Sequence, residues 1–288
     1  MLATLKSILN IAEENNYAIG SFNTPNLESL LAVVQGAEEL KLPVIIQHAQ
    51  SHEDLIPLSI IGPIMLKTAE QSSVPICVHL DHGTSLDVIS QSLSLGFTSV
   101  MYDGSALPYE ENLRNTLKVV EMASRTGASV EAELGVIGKK ETGLVEKPQD
   151  EDTDYVYTDP DQAKAFVEET GIDALACAFG TVHGIYFRKP TLRFDIVEKV
   201  RQATGNIPVV MHGGSGLSRE EYRQAINAGV RKINYFTYMN KAGAEACADY
   251  ISKQDKSSPI LFTHISDKAR IAMMEHIKQA MKIFSLME

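Results

Sequence analysis

The sequence predicts an α/β chain closed into a (β/α)8 barrel, on three observations. Eight short apolar runs of strand character recur along the chain, at residues 17–22, 44–48, 76–79, 99–102, 129–134, 175–179, 207–211 and 233–235. Stretches of helical period lie between them, and regular alternation of strand and helix implies parallel strands with the helices outside. Three of the eight histidines come just after such a run, each followed at once by glycine: His82 and Gly83, His183 and Gly184, His212 and Gly213. Side-chain chemistry gathered at strand ends, beside backbone-permissive glycines, belongs on the C-terminal rim of a parallel barrel. Alternation alone leaves a doubly wound open sheet as the other arrangement.

The elements between the strands have their own signals. Leu27–Leu40 carries apolar residues at 27, 30, 31, 34 and 37, one face of a helix, with Glu38 and Glu39 near its end. Residues 86–95 and 113–123 repeat that pattern. Thr158, Asp159 and Pro160 form a helix start ahead of 161–169, and Ser218 with Glu221 forms a capping box ahead of another helix. Residues 135–157 are long, poor in apolar side chains and rich in Lys, Glu, Asp and Thr. Following a strand end, they would lie on the active rim, as a mobile loop or as a solvated excursion. Residues 249–288, mostly helical in pattern, extend the barrel or pack on a second subunit. The whole chain, 1–288, is read as one domain with that C-terminal extension.

Composition narrows the function. A chain of 288 residues that is 44% hydrophobic can bury a large core, and barrels of this length are often single domains. A net charge of -11 argues against a nucleic-acid partner, which needs clustered Lys and Arg. It leaves room for a small phosphorylated substrate in a local pocket. Cys77, Cys177 and Cys247 are too few and scattered for a disulfide scaffold. The first residues lack a signal-peptide core, and no apolar run approaches the roughly 20 residues of a membrane span. The expectation is a soluble, cytoplasmic protein.

Three imidazoles at strand ends suit a divalent metal, zinc above all. Asp81, beside His82, is placed to exchange protons with a bound substrate, or to cap the helix that begins near Ser85. His79 belongs to the strand and satisfies a hydrogen bond inside the fold. Glu131 and Glu133 alternate along the fifth strand, so both face the barrel mouth. Buried acids are costly unless paired or metal-bound; either acid could ligate the metal or orient a ligating histidine. Asp103 is a similar strand-end acid. The glycine-rich run 211–216 precedes a helix and offers free N–H groups to an anion. It follows the seventh strand, and 234–237 follows the eighth; barrels often hold phosphate in that pair of loops. His48, His52, His264 and His276 lack this context and read as surface or satisfied core residues, although His48 also ends a strand.

The runs 17–23 (YAIGSFN), 79–83 (HLDHG), 130–135 (VEAELG), 180–184 (GTVHG), 212–216 (HGGSG) and 232–234 (KIN) resemble, in order, those of the class II ketose-bisphosphate aldolases. The resemblance covers about residues 5–237. It implies a zinc-dependent TIM barrel, dimeric or tetrameric, that cleaves a fructose- or tagatose-1,6-bisphosphate-like ketose to dihydroxyacetone phosphate and an aldehyde. By this resemblance His82, His183 and His212 are zinc ligands, and Asp103 and Glu133 serve an alternate or second divalent metal. Asp81 exchanges a proton with the C4 hydroxyl, and Glu141 moves one at the nucleophilic carbon. Asn23 positions substrate. Gly184, Gly213, Ser215, Asn234 and Thr237 hold the phosphate end, with a monovalent cation, Na+ or K+, near Gly184 and Gly213.

Three positions depart from the family pattern. Phe236 stands where an aspartate or alanine is usual, Phe187 where fructose-specific members have lysine, and Ala49 where serine or threonine is common. They leave the zinc ligands and glycine loops intact and bear on the choice of sugar. The alternatives are a relative acting on another phosphorylated sugar or sugar acid, a metal-dependent hydrolase on the same fold, and a non-catalytic sugar-phosphate binder.

Overall fold

The computed structural model describes residues 1–136, 156–186, 190–255 and 259–287. Eight strands form a closed barrel in sequence order: β1 (Ile19–Asn23), β2 (Val44–Ala49), β3 (Ile76–Gly83), β4 (Ser99–Tyr102), β5 (Ser129–Leu134), β6 (Ala174–Cys177), β7 (Val209–Met211) and β8 (Val230–Tyr235). All neighbours pair in parallel, and β1 closes on β8 through Ile19–Lys232 and Ser21–Asn234. The open-sheet alternative is thereby excluded. The helices are α1 (Leu5–Asn15), α2 (Leu27–Leu40), α3 (Leu58–Gln71), α4 (Leu86–Leu95), α5 (Tyr109–Ser124), α6 (Pro160–Thr170), α7 (Phe194–Ala203), α8 (Arg219–Ala228), α9 (Thr237–Ser252) and α10 (Phe262–Phe284). Among the described residues, no helix is long and apolar enough to cross a membrane.

Alternation within the strands sorts the side chains. On β3, Ile76, Val78 and Leu80 pack outward under the helices, while Cys77 joins Ile19, Ile45, Met101, Ala174, Ala176 and Val210 in a cluster inside the barrel. Helix α1 completes that cluster with Leu5, Ile8, Leu9 and Ala12. Its buried residues keep helical spacing behind the Thr4 cap, a signal the sequence reading passed over, and their partners come together only once the barrel closes. Two residues above Cys77, the interior turns polar: His79, Glu131 and Lys232 are completely buried.

Several boundaries move. β3 continues to Gly83, so Asp81 is a strand residue; Ser85 caps α4, and the helix-cap alternative for Asp81 falls away. The run 234–237 is not a loop. Asn234 and Tyr235 end β8, Phe236 makes the junction, and Thr237 opens α9, because the strand pairs with β1 as far as Tyr235. α9 runs through position 249 to Ser252, and the later helix α10 packs on α2 and α9.

Candidate active site

Consecutive strand residues normally face opposite sides of a sheet, yet Asp81 and His82 both serve the barrel mouth. The pairing of β3 with β4 shifts register between Leu80 and Gly83, and His82 adopts a left-handed backbone with φ 46°. This irregularity re-aims one side chain, a use typical of bulges near active sites. Gly83 is required beside it, since a Cβ there would lie 2.7 Å from the Met101 carbonyl oxygen.

The three strand-end histidines converge. His82 Nε2 lies 3.3 Å from His183 Nε2 and 2.9 Å from His212 Nδ1. Tetrahedral zinc with bonds of about 2.0–2.1 Å holds its nitrogens roughly 3.3 Å apart, so these donors fit the ion without large movement. Carboxylates set the tautomers of two rings. Asp103 Oδ2 lies 2.8 Å from His82 Nδ1, and Glu131 Oε1 lies 2.8 Å from His212 Nε2. With hydrogens on those nitrogens, His82 Nε2 and His212 Nδ1 turn lone pairs toward the shared centre. Among the described residues a second group with ligand atoms in mutual reach joins His82 with Asp103 and Glu133. The buried Glu133 Oε2 accepts no hydrogen bond, an arrangement open to a cation.

The same carboxylates favour a second proton on His82, which a metal at the shared centre would displace. Burial works against charge on His82, but Asp81, the Asp103 hydrogen bond and Glu133 outweigh it and push the imidazole up to about 10. His212 is lowered by burial and the neighbouring His82 charge. Burial favours the neutral form of Glu131, yet Lys232 and the His212 hydrogen bond hold it down to about 2. Glu133 is raised well above the carboxylate range by burial and the adjacent Asp103. His79 is lowered to about 3 by burial and Lys232; its Nδ1 is 2.8 Å from Ser99 Oγ, the internal hydrogen bond expected of it.

Asp81 sits in a cradle of amides. Asn23 Nδ2 and Gln47 Nε2 each donate to Oδ2 at 3.0 Å, and Asn234 Nδ2 donates to Oδ1 at 3.1 Å. Despite burial, the charges of His82, His212 and Lys232 hold the carboxyl far below its usual range. Gln47 escaped notice in the sequence. A glutamine between Ile45 and Ala49, on the inward period of an apolar strand, was the signal that could have found it.

The loops after β6, β7 and β8 are tied together. Tyr186 accepts from the Val182 N–H at 3.1 Å and donates to the Gly213 carbonyl at 2.8 Å. Tyr222 donates to the Gly214 carbonyl, and the Phe236 N–H donates to Ser215 Oγ at 3.1 Å. Gly184 (φ 92°) has open space around its Cα, while Gly213 (φ 63°) presses on the Val182 backbone. Thr237 begins α9, whose first turn has no side-chain cap and so keeps N–H groups available to an anion. Exchanging Gly213 for alanine forces a Cβ against the Val182 carbonyl. The variant is expected to lose about 1–3 kcal/mol of stability, read by thermal or denaturant unfolding; an unchanged midpoint would show that the β6 and β7 loops need not touch here.

Two departures from the family pattern are visible. Ala49 ends β2 in register with Asp81. Phe236 is buried, with its ring centroid 5.1 Å from that of His52, a histidine whose own ring nitrogens are buried without hydrogen-bond partners. Glu141 and Phe187 lie outside the described residues.

Comparison with known proteins agrees with this geometry. The family model for class-II fructose-bisphosphate aldolase matches residues 3–287. Protein YdjI of Escherichia coli (strain K12) is 38% identical over 284 residues, covering 99% of this chain and 98% of the relative. A "Probable fructose-bisphosphate aldolase" of Bacillus subtilis (strain 168) is 38% identical over 262 residues, 90% of each chain. The crystal structure of the YdjI aldolase superposes with a TM-score of 0.85 at 36% identity, over 99% of this chain and 97% of the other.

Proposed function

Because the chain belongs to the class-II fructose-bisphosphate aldolase family, we propose that it is a zinc-dependent aldolase that reversibly cleaves a phosphorylated ketose to dihydroxyacetone phosphate and an aldehyde. The observation that carries this reading is the meeting of three imidazole nitrogens beside a buried carboxylate held ionised by the positive charges around it. His82, His183 and His212 would hold the zinc, and Asp103 and Glu133 a second divalent ion. Bound there, zinc supplies Lewis acidity where negative charge develops on substrate oxygen.

The remaining work falls to the chain. In cleavage, Asp81 takes the proton of the C4 hydroxyl; in condensation it returns it. An ionised Asp81 is the form that cleavage needs; despite burial, the charges of His82, His212 and Lys232 hold it there, and three amide donors fix its position. Glu141 is assigned the proton transfer at the nucleophilic carbon. The phosphate is assigned to Gly184, Gly213, Ser215, Asn234 and Thr237. In support, the turn of residues 213–216 precedes α8 and the first turn of α9 lacks a side-chain cap. The same glycines would take a Na+ or K+ ion. Asn23 steadies both Asp81 and the substrate. A fructose- or tagatose-1,6-bisphosphate-like ketose is the default substrate and another phosphorylated sugar or sugar acid the alternative, with Ala49 beside Asp81 and Phe236 against His52 bearing on the choice. We propose a cytoplasmic homodimer or homotetramer.

The test is made in the condensation direction. Zinc-loaded protein is offered dihydroxyacetone phosphate in D2O with phosphorylated and free aldehydes in turn. Solvent deuterium should enter the nucleophilic carbon, and at least one aldehyde should yield a ketose phosphate. Chelation should stop both reactions and added zinc restore them. Full activity after metal removal would overturn the zinc assignment, and binding of dihydroxyacetone phosphate without any exchange of its C–H proton would identify a binding relative in place of an aldolase.

A further inference from the structure

Beneath the three histidines lies a charged layer that the reaction outlined above does not use. Lys232 Nζ donates to Glu131 Oε2 at 2.8 Å and lies 3.4 Å from His79 Nε2; all three side chains are fully excluded from water. The other oxygen of Glu131 meets His212 Nε2 at 2.8 Å. Lysine on β8, glutamate on β5 and the histidine that follows β7 thus form one line across the barrel, ending at an imidazole whose far nitrogen faces His82 and His183.

Such a pair is a poor choice for filling space. Taking two charges out of water costs more than apolar packing of similar volume usually does. The adjoining interior cluster, with Ile45, Cys77, Met101 and Val210, shows that this barrel can be filled by apolar groups. Charge occurs at the level that touches His212.

We propose that Glu131 and Lys232 are positioning residues for the metal: Glu131 takes the Nε2 hydrogen of His212 and so turns the Nδ1 lone pair to the centre, while Lys232 keeps Glu131 a carboxylate. This rests on the reading that the three histidines hold zinc. Asp103 performs the corresponding task for His82 from the rim, but it is partly exposed, needs no buried counter-charge, and receives Ser105 Oγ at 2.7 Å instead. The two histidines therefore present different nitrogens, Nε2 from His82 and Nδ1 from His212.

The experiment compares wild type with Glu131→Leu combined with Lys232→Met, which removes both charges and the acceptor that faces His212 together. Zinc affinity is read by chelator competition and folding by thermal unfolding. The double variant is expected to keep a thermal midpoint near wild type and to bind zinc about 10–100-fold more weakly, the usual cost of losing an outer-shell partner. Affinity within twofold of wild type would overturn the proposal. A wild-type protein that binds no zinc would instead remove the metal reading on which it rests. Should the double variant fail to fold, nitrogen-15 NMR of metal-free wild type decides: hydrogen on Nε2 of His212 supports the assignment, and hydrogen on Nδ1 overturns it.

Discussion

Replacing Asp81 with alanine is expected to lower turnover by about 10²–10⁴-fold, the range general acid–base catalysis contributes, while proton exchange on dihydroxyacetone phosphate survives. The separation follows from the proposed division of labour: Asp81 serves the C4 hydroxyl, whereas the carbon-bound proton is assigned to Glu141. A variant that bound substrate and exchanged its proton but made no carbon–carbon bond would match that division. A turnover within tenfold of wild type would remove the role. The fold should survive at a cost, because Asn23, Gln47 and Asn234 all lose their acceptor. Each stranded donor costs on the order of 1–3 kcal/mol, less where water enters the space left behind. A lower thermal midpoint with an unchanged circular-dichroism spectrum is therefore expected alongside the kinetic loss.

The largest effect on stability is expected from Lys232→Met alone. Its partner Glu131 would be left as a charge, or forced to take up a proton, with no solvent near. Breaking one side of a buried pair costs about 3–5 kcal/mol, which for a chain of this size lowers the midpoint by roughly 10 °C. Adding Glu131→Leu should recover most of that loss while leaving zinc binding weak. The recovery separates folding from metal positioning: a merely structural pair would restore both together. A single variant that melts within 1–2 °C of wild type would show that the pair carries little of the fold's energy.

The strands and the larger helices were legible because their signals are local. Glycines beside His82, His183 and His212, the Ser218–Glu221 capping box and the apolar face of Leu27–Leu40 can each be read within a few residues. Helix α1 was missed although Leu5, Ile8, Leu9 and Ala12 keep helical spacing, because it precedes the first strand and stands outside the strand–helix alternation that marks the others. Nor was the turn of His82: strict alternation would send Asp81 and His82 to opposite faces, and only the register shift against β4 brings both to the mouth. The sequence left open whether Glu131 ligates a metal or orients a histidine. The hydrogen bond from β5 to the residue after β7 places it behind His212.

By itself, then, the chain determined the alternation that builds a barrel, the residue types at each strand end, and the departures at Ala49 and Phe236. Tertiary structure decided which groups meet. Lys232 finds Glu131 across 101 residues of sequence, and Asn234 finds Asp81 across 153. The physical reason is that periodicity and capping are governed by neighbours three or four residues away. The choice of imidazole nitrogen and the ionised state of a buried acid are set by charges and donors that only barrel closure brings within 3 or 4 Å.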